Sequence, residues 1–238
     1  MVKYNSWPLG HLPAELRRPE LEEIKKYGYA YTDARDIVDI FEEKVAKFTG
    51  SGYAVSVDCC THALELCFRY LLAANQLIHG CKVKLPEHTY ISVPMMLRRI
   101  GLIPELYDHK WRSKYKFVCQ SNIDVWDAAT EWMPDMYIKG SLMCLSFQIK
   151  KRIPIGRGGM ILTDNQDLAS MLKRWRYDGR AMEMPYDNPN HIQSYGFHYY
   201  MTPEDAARGI LLMDRIKDTG DSGEWINYPN LKQWQKFF

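Results

Sequence analysis

The sequence predicts an α/β domain built on a mainly parallel sheet. From residue 53 to residue 163, short apolar runs alternate with helical stretches, which is typical of a layered α/β domain. Apolar residues make up 46% of the 238 residues and charged residues 25%, an ordinary composition for a globular protein. A chain of this length suits one large domain, or one domain with a small appendage.

Two helices are predicted ahead of the first strand, at residues 13–26 and 34–48. The first is charged and amphipathic, and the second carries apolar residues at helical spacing and ends before Gly50. Six strands are predicted from the apolar runs, at residues 53–57, 82–85, 103–107, 123–126, 141–147 and 159–163. Four further helices are predicted at residues 61–74, 92–100, 166–177 and 202–217.

Two of these helices begin with capping signals. Asp164 or Asn165 can cap the helix near residue 166, while Thr202 is followed by Pro203 and Asp205 as in a capping box. Residues 224–238 show little periodicity, so their aromatic side chains are expected to pack on a surface or on a partner. We therefore expect an N-terminal helical segment (1–34), a large domain (35–217) and a C-terminal tail (218–238).

The charge balance and the cysteines limit the classes of partner. Thirty-one basic and 29 acidic residues leave a formal charge of +2, which favours a small-molecule or protein partner over nucleic acid or an anionic membrane. The six cysteines lack paired CxxC spacing and are expected to be reduced thiols, and no metal is expected. No apolar signal region or membrane-spanning stretch is evident, so a cytoplasmic location is expected.

Candidate site residues follow the predicted strands, because ligands of open parallel sheets bind beyond the carboxyl ends of the strands. Thr61 begins a helix whose first amides could cradle a phosphate; alternatively, it is a simple helix cap. Tyr90 follows the next strand and could stack on an aromatic ligand or serve as packing.

Two more strand ends carry charged candidates. Asp127 follows an apolar run and is either a buried functional carboxylate or a helix cap. Lys151 lies in a basic cluster ahead of a Gly-rich turn. Neighbouring cations can lower the pKa of a lysine that reacts as a nucleophile, although such clusters are also often solvated loops.

In this chain order, the four strand ends resemble the DegT/DnrJ/EryC1/StrS sugar aminotransferase family, a branch of the fold-type I pyridoxal 5'-phosphate (PLP) enzymes. The similarity covers about residues 35–215 and is most specific where Ser146-Phe147 precedes Lys151, like the family's Ser-Phe-x-x-x-Lys element. The segments that carry the resemblance are residues 41–50, 60–64, 86–90, 126–129, 146–151, 156–159 and 198–207.

The resemblance implies a three-layer α/β/α PLP-transferase (aspartate aminotransferase-like) large domain, with its C-terminal small domain reduced or absent. It implies that Lys151 forms the Schiff base with the cofactor and that Asp127 pairs with the pyridine nitrogen, as the two catalytic residues. It further implies a homodimer, in which His198 reaches the phosphate of the neighbouring subunit. The cofactor-binding residues that it implies are Thr61, His62, Tyr90, Asp127, Thr130, Ser146, Lys151 and His198.

Several positions depart from the family pattern. Cys60 stands where the family has Gly, Thr130 replaces a Gln or His beside the ring oxygen, and His198 and Tyr200 replace an Asn and an Arg. The segment between residues 107 and 127 is short for the family, as is the chain after residue 217. Lys150 is a rival to Lys151, because one residue of alignment slip exchanges them.

The predicted function is amino transfer from an amino acid, such as glutamate, to a keto-sugar, most simply one linked to a nucleotide. A degenerate fold that acts as a binding or assembly module without turnover is the alternative. Sugar dehydration is less favoured, because those relatives lose the lysine that this chain keeps. Candidates for diphosphate or carboxylate contacts are Arg152, Arg157, Arg176 and Arg180, which could equally be surface residues.

Overall fold

A computed structural model describes residues 16–216 and 228–238. The first part of the predicted helix at 13–26, the segment 217–227 and the tail residue Trp225 lie outside the described residues. The predicted division into 1–34, 35–217 and 218–238 stays a prediction.

Six α-helices match the predicted ones to within a few residues at most ends. In α2, the apolar side chains of Ile37, Val38 and Phe41 are buried. The helix ends at Gly50, which has a left-handed φ of 75° that glycine adopts without strain. The helices are α1 (Glu20–Lys26), α2 (Asp36–Thr49), α3 (Cys60–Ala73), α4 (Ser92–Arg99), α5 (Gln166–Trp175) and α6 (Pro203–Arg215).

Both predicted capping signals are confirmed. The Asn165 side chain accepts a hydrogen bond of 3.0 Å from the Leu168 amide at the start of α5. The Thr202 hydroxyl accepts one of 3.2 Å from the Asp205 amide, with Pro203 at the first helical position of α6.

The described residues form seven strands, which include all six predicted ones and a short strand, β4, that the sequence patterns did not predict. β4 has only two residues, too few to give an apolar alternation. The strands are β1 (Tyr53–Val57), β2 (Lys82–Pro86), β3 (Ile103–Tyr107), β4 (Tyr115–Lys116), β5 (Val125–Asp127), β6 (Leu142–Ser146) and β7 (Gly159–Thr163).

Five strands form one sheet in the order β1-β7-β6-β5-β4, and β2 and β3 form a parallel pair. Lys84 of β2 and Val118, just after β4, exchange backbone hydrogen bonds of 2.9 and 3.0 Å, so the pair extends the sheet. The strands β1, β2, β3, β5 and β6 run in one direction, whereas β4 and β7 run against their neighbours. The mainly parallel sheet is therefore confirmed.

Helices cover both faces of the sheet, as the three-layer prediction requires. Alternate residues of β6 enter two separate cores: Leu142 and Cys144 pack with α3, α4 and α5, whereas Met143 and Leu145 pack with α1, α2 and α6. Since both faces are buried, β7 is apolar at almost every position. Among the described residues, no helix combines the length and apolar character needed to cross a bilayer.

Candidate functional site

A cavity of about 380 Å³ lies at the edge of the sheet where the parallel strands end. β1, β2, β5 and β6 all end at this edge because they run in the same direction. Its size falls within the roughly 300–1,000 Å³ typical of small-molecule sites. Predicted site residues that line it are Thr61, Tyr90, Asp127, Thr130, Ser146 and Lys151.

Asp127 is the buried carboxylate of this cavity, with 6% of its surface exposed. It accepts a hydrogen bond of 2.9 Å from the Tyr115 hydroxyl and one of 3.0 Å from the Ala129 amide. Burial raises the pKa of Asp127, while these hydrogen bonds and the nearby Lys151 partly oppose the rise. β5 is followed by a turn rather than a helix, so the interpretation of Asp127 as a helix cap is wrong.

Lys151 is half-buried in the same cavity, whereas its rival Lys150 also lines the cavity but is exposed. Burial lowers the pKa of Lys151, and the nearby Asp127 and Cys60 act against that change. The turn is ordered by a hydrogen bond of 2.8 Å from the Lys151 amide to the Gln148 carbonyl. The alternative of a solvated basic loop thus describes Lys150 better than Lys151.

The start of α3 forms a cluster of hydrogen-bond donors at one end of the cavity. The helix begins at Cys60, and its first turn has amides without partners inside the helix. The Thr61 hydroxyl shares a hydrogen bond of 2.7 Å with Ser92 and makes no capping bond, so the interpretation of Thr61 as a helix cap is wrong. Together with Ser146, these groups are suited to holding an anion at a helix N-terminus.

Gly159, the first residue of β7, lies directly against the start of α3. A Cβ atom at this position would lie 2.5 Å from the carbonyl carbon of Cys59 and 2.6 Å from the Cys60 amide nitrogen. Only glycine lets β7 pair with Val57 of β1 while the start of α3 crosses it. The turn therefore places the helix N-terminus and the Lys151 segment at the same cavity.

His62 does not line the cavity, in contrast to its predicted contact with a phosphate. Its ring stacks on Tyr199 at 3.7 Å, and its Nδ1 hydrogen-bonds Asp58 Oδ1 at 2.6 Å. Burial alone would lower the pKa of His62, but hydrogen bonds to Asp58 and Cys59 raise it to about 9. Asp58 also accepts a hydrogen bond of 2.7 Å from Arg157. His62 therefore contacts the residue that orients Arg157, and not the cavity itself.

His198 also lies away from the cavity of its own chain. It is exposed, and its Nδ1 lies 3.1 Å from a carboxylate oxygen of Asp178. Thr130 does line the cavity, and its hydroxyl donates a hydrogen bond of 2.7 Å to the Ser113 carbonyl.

Arg157 is one of the four candidate arginines and lines the cavity. Arg176 does not, because it is buried and donates hydrogen bonds to Glu42 and to the Ser56 carbonyl. Its role is therefore structural rather than that of a substrate contact.

Aromatic side chains form another wall of the cavity, and two of them, Trp111 and Tyr228, were not predicted site residues. Trp111 and Tyr228 stack with ring centroids 6.1 Å apart, and Tyr90 meets Tyr228 edge to face at 6.5 Å. Tyr228 belongs to the tail and lies 140 residues from His88, its hydrogen-bond partner. Tyr90 is a predicted site residue and the tail aromatics are expected to pack on a surface or on a partner, whereas Trp111 is signalled only by the many Tyr and Trp side chains of the chain as a whole.

One group of potential metal ligands adjoins the site. Ligand atoms of Asp58, Cys59 and His62 lie within 4.8 Å of one another. Asp58 and His62 are already hydrogen-bonded to each other, and Asp58 also pairs with the cation of Arg157. These contacts explain the group without a metal.

A search against known protein families matches this chain at residues 15–115 and 138–224 to the DegT/DnrJ/EryC1/StrS aminotransferase family. The chain belongs to this family. The matched ranges include Lys151, Ser146 and the start of α3, whereas Asp127 and Thr130 lie between the two ranges and Tyr228 lies beyond them.

Similar proteins include GDP-perosamine synthase of Caulobacter vibrioides, which is 26% identical over 217 residues. That match covers 75% of this chain and 56% of the relative, so this family member spans about half the length of its curated relative.

Solved structures show the same fold at low identity. A 3-amino-5-hydroxybenzoic acid synthase superposes with a TM-score of 0.64 at 17% identity, covering 89% of this chain and 64% of that one. An E. coli GDP-4-keto-6-deoxy-D-mannose-3-dehydratase with bound hydrated PLP has a TM-score of 0.63 at 15% identity, with 89% and 68% covered.

Proposed function

We propose that this chain is a PLP-dependent aminotransferase that moves an amino group from an amino acid to a nucleotide-linked keto-sugar. The observation that carries the proposal is the meeting of a buried carboxylate, a half-buried lysine and a helix N-terminus in one cavity. Membership of an aminotransferase family supports the same chemistry.

The residues of the cavity fit PLP at three points. Lys151 is shielded enough for its pKa to fall, which a lysine that bonds to the cofactor's aldehyde carbon needs. Asp127 is buried and fixed by two hydrogen bonds, so it would pair with the pyridine nitrogen. The amides at the start of α3, with Thr61 and Ser146, would hold the phosphate.

When bound, PLP supplies an electron sink that stabilises negative charge on the substrate carbon. Asp127 would keep the ring nitrogen protonated, and Tyr115 would hold the Asp127 carboxylate in place. The amine of Lys151 would move the proton at the reacting carbon, because it lies in the same cavity and its pKa is lowered. Tyr90, which lines the same cavity, would stack on the ring.

The substrate class is inferred from the relatives. GDP-perosamine synthase and a GDP-4-keto-6-deoxy-D-mannose dehydratase carry nucleotide sugars in their names, and they share sequence or fold with this chain. Arg157, exposed at the cavity and held by Asp58, would meet the anionic part of such a substrate or the carboxylate of a donor such as glutamate.

We further propose a homodimer, in which His198 of one subunit approaches the cavity of the other. Its exposed position away from the cavity of its own chain is compatible with that role. A cytoplasmic location is proposed as well, since all six cysteines are free thiols, as is usual in a reducing compartment.

The test is the visible absorption of the purified protein mixed with PLP, beside Lys151→Ala and the matched control Lys150→Ala. We expect a visible band that borohydride removes, and peptide mass spectrometry should then find the reduced cofactor on Lys151. Lys151→Ala should lose the band and Lys150→Ala should keep it, because only Lys151 is shielded from water. Glutamate and a GDP-linked 4-keto-sugar would then be tested as substrates.

The absence of any band from a folded protein in excess PLP would overturn the proposal and favour the alternative, a binding or assembly module without turnover. A band that survives in Lys151→Ala but not in Lys150→Ala would reassign the lysine.

A further inference from the structure

The end of the chain forms part of the cavity wall, although it lies beyond the family match. Residues Leu231–Phe237 form a short 3-10 helix, which Asn230 caps by accepting a hydrogen bond of 2.9 Å from the Lys232 amide. Leu231 is fully buried, whereas Phe237 is exposed. The segment is therefore packed onto the domain at its beginning rather than along its whole length.

Two consecutive residues after β2 anchor this segment. The Leu231 amide donates a hydrogen bond of 2.8 Å to the Glu87 carbonyl, and the Asn230 side chain donates one of 2.8 Å to Glu87 Oε1. The ammonium of Lys232 forms an ion pair with the other Glu87 oxygen. His88 Nδ1 lies 2.7 Å from the Tyr228 carbonyl and donates to it.

The Glu87 carboxylate is the centre of this anchor. The hydrogen bond from Lys232 lowers the pKa of Glu87, with further lowering from the charges of Lys232 and His88. Glu87 is thus a fixed anion at neutral pH with partners on both oxygens.

The anchor fixes Tyr228 inside the cavity. Its ring lies between Trp111 and Tyr90, and Trp111 is itself held by a hydrogen bond of 2.8 Å to the His88 carbonyl. Burial, with the nearby charges of Asp127 and Cys60, raises the pKa of Tyr228 to about 12. Its hydroxyl therefore stays protonated and can donate a hydrogen bond.

We propose that Tyr228 is a cofactor-contacting residue of the site and that Glu87 is a positioning residue whose anchoring of the tail slows release of the bound cofactor. This inference rests on the proposed function, since the cofactor meant is PLP. Tyr228 supplies an aromatic face and a phenol to the wall of the cavity, and the anchor holds it there.

The experiment measures how fast PLP leaves the loaded protein, with a phosphatase added to destroy the released cofactor. We expect Tyr228→Ala and Glu87→Gln to release PLP roughly ten-fold faster than the wild type, and Tyr228→Phe to release it less rapidly than Tyr228→Ala because its ring still stacks. Glu105→Gln is the matched control: Glu105 also pairs with lysines, Lys82 and Lys84, but lies outside the cavity. It should release PLP at the wild-type rate.

A second readout needs no cofactor. In protein without PLP, amide hydrogen exchange of residues 228–238 should be faster in Glu87→Gln than in Glu105→Gln, because only the first loses an anchor. Unchanged exchange would refute the anchor independently of any ligand.

Different results would overturn the proposed function and the roles of Tyr228 and Glu87. A wild-type protein that binds PLP, with release rates unchanged in Tyr228→Ala and Glu87→Gln, overturns the inference and leaves the proposed function intact. A wild-type protein that forms no adduct with PLP overturns both.

Discussion

At the scale of single residues, two charged side chains of the cavity, Asp127 and Arg157, are each held by a hydrogen-bonded partner. Asp127 is held by Tyr115, which in turn shares a hydrogen bond of 2.8 Å with Thr89. Arg157 is held by Asp58, which His62 supports from the other side. Asp127, which would contact the cofactor, and Arg157, which would contact the substrate, are therefore each held in orientation by neighbours, as a preorganised site requires.

Changing Tyr115 to Phe should weaken PLP binding. The substitution removes a hydrogen bond to the Asp127 carboxylate and raises the pKa of that group further, so it would pair less well with a protonated ring nitrogen. We expect the dissociation constant, measured by absorption titration, to rise by about ten-fold, the size of a typical hydrogen bond to a charged group.

Tyr137→Phe is the matched control for this change. It removes the hydrogen bond of 2.9 Å that the Tyr137 hydroxyl donates to the Ser141 carbonyl, away from the cavity, and should leave the dissociation constant unaltered. Equal affinity of Tyr115→Phe and wild type would refute the role of Tyr115.

At the scale of elements, the site exists because the start of α3 crosses the start of β7. Gly159 permits this contact, and the segment just ahead of it carries the turn with Lys151. The positions of the helix N-terminus and of the Lys151 turn therefore both depend on the contact between α3 and β7, and a substitution at that contact should affect both.

Gly159→Ala should lower stability and cofactor affinity together. Its Cβ atom would meet the backbone of Cys59 and Cys60, which cannot rotate away, so we expect a loss of about 1–3 kcal/mol in the free energy of unfolding by urea denaturation. The PLP affinity of the folded fraction should fall as well, because the start of α3 must shift.

Gly209→Ala provides the comparison, since its Cβ atom would lie 2.6 Å from the Phe41 ring, where α6 packs on α2. It should destabilise the fold while keeping PLP affinity. Loss of affinity in both variants alike would show that the effect comes from general destabilisation.

At the scale of the whole molecule, the stability of the fold should depend on pH through His62. The pKa of His62 is raised to about 9 in the folded protein from its ordinary value of 6.5, by hydrogen bonds to Asp58 and Cys59 that outweigh burial. A raised pKa means that the folded state binds the proton more tightly, so the contribution is complete below pH 6.5 and lost as pH rises through 9.

Urea denaturation between pH 6 and 9.5 should therefore show a decline in the free energy of unfolding that is absent from His62→Gln. Because His62 is only partly buried, we expect about 1 kcal/mol rather than the full value of the shift. The difference between the two proteins isolates His62 from other groups that titrate nearby. Parallel curves for both would contradict the assignment.

Much of this architecture follows from local sequence patterns. Apolar runs of four to seven residues and capping residues such as Asn165 and Thr202 act within one or two turns of chain, so the order of helices and strands is readable from the sequence. The spacing from Ser146 to Lys151, followed by a Gly-rich strand, likewise indicates Lys151, which is the more buried of the two lysines that line the cavity.

Other features were decided by tertiary structure. The reversal of β7, the hydrogen bond that Tyr115 of β4 donates to Asp127 of β5, and the Tyr228 wall all join segments that no local pattern links. Nothing within a few residues of Tyr228 reveals that it meets His88, 140 positions earlier. The sequence by itself determined the order of the elements and the chemical groups at the strand ends. Only packing across the sheet decided which side chains enclose the cavity, because burial, pKa and ring contacts arise from neighbours distant in the chain.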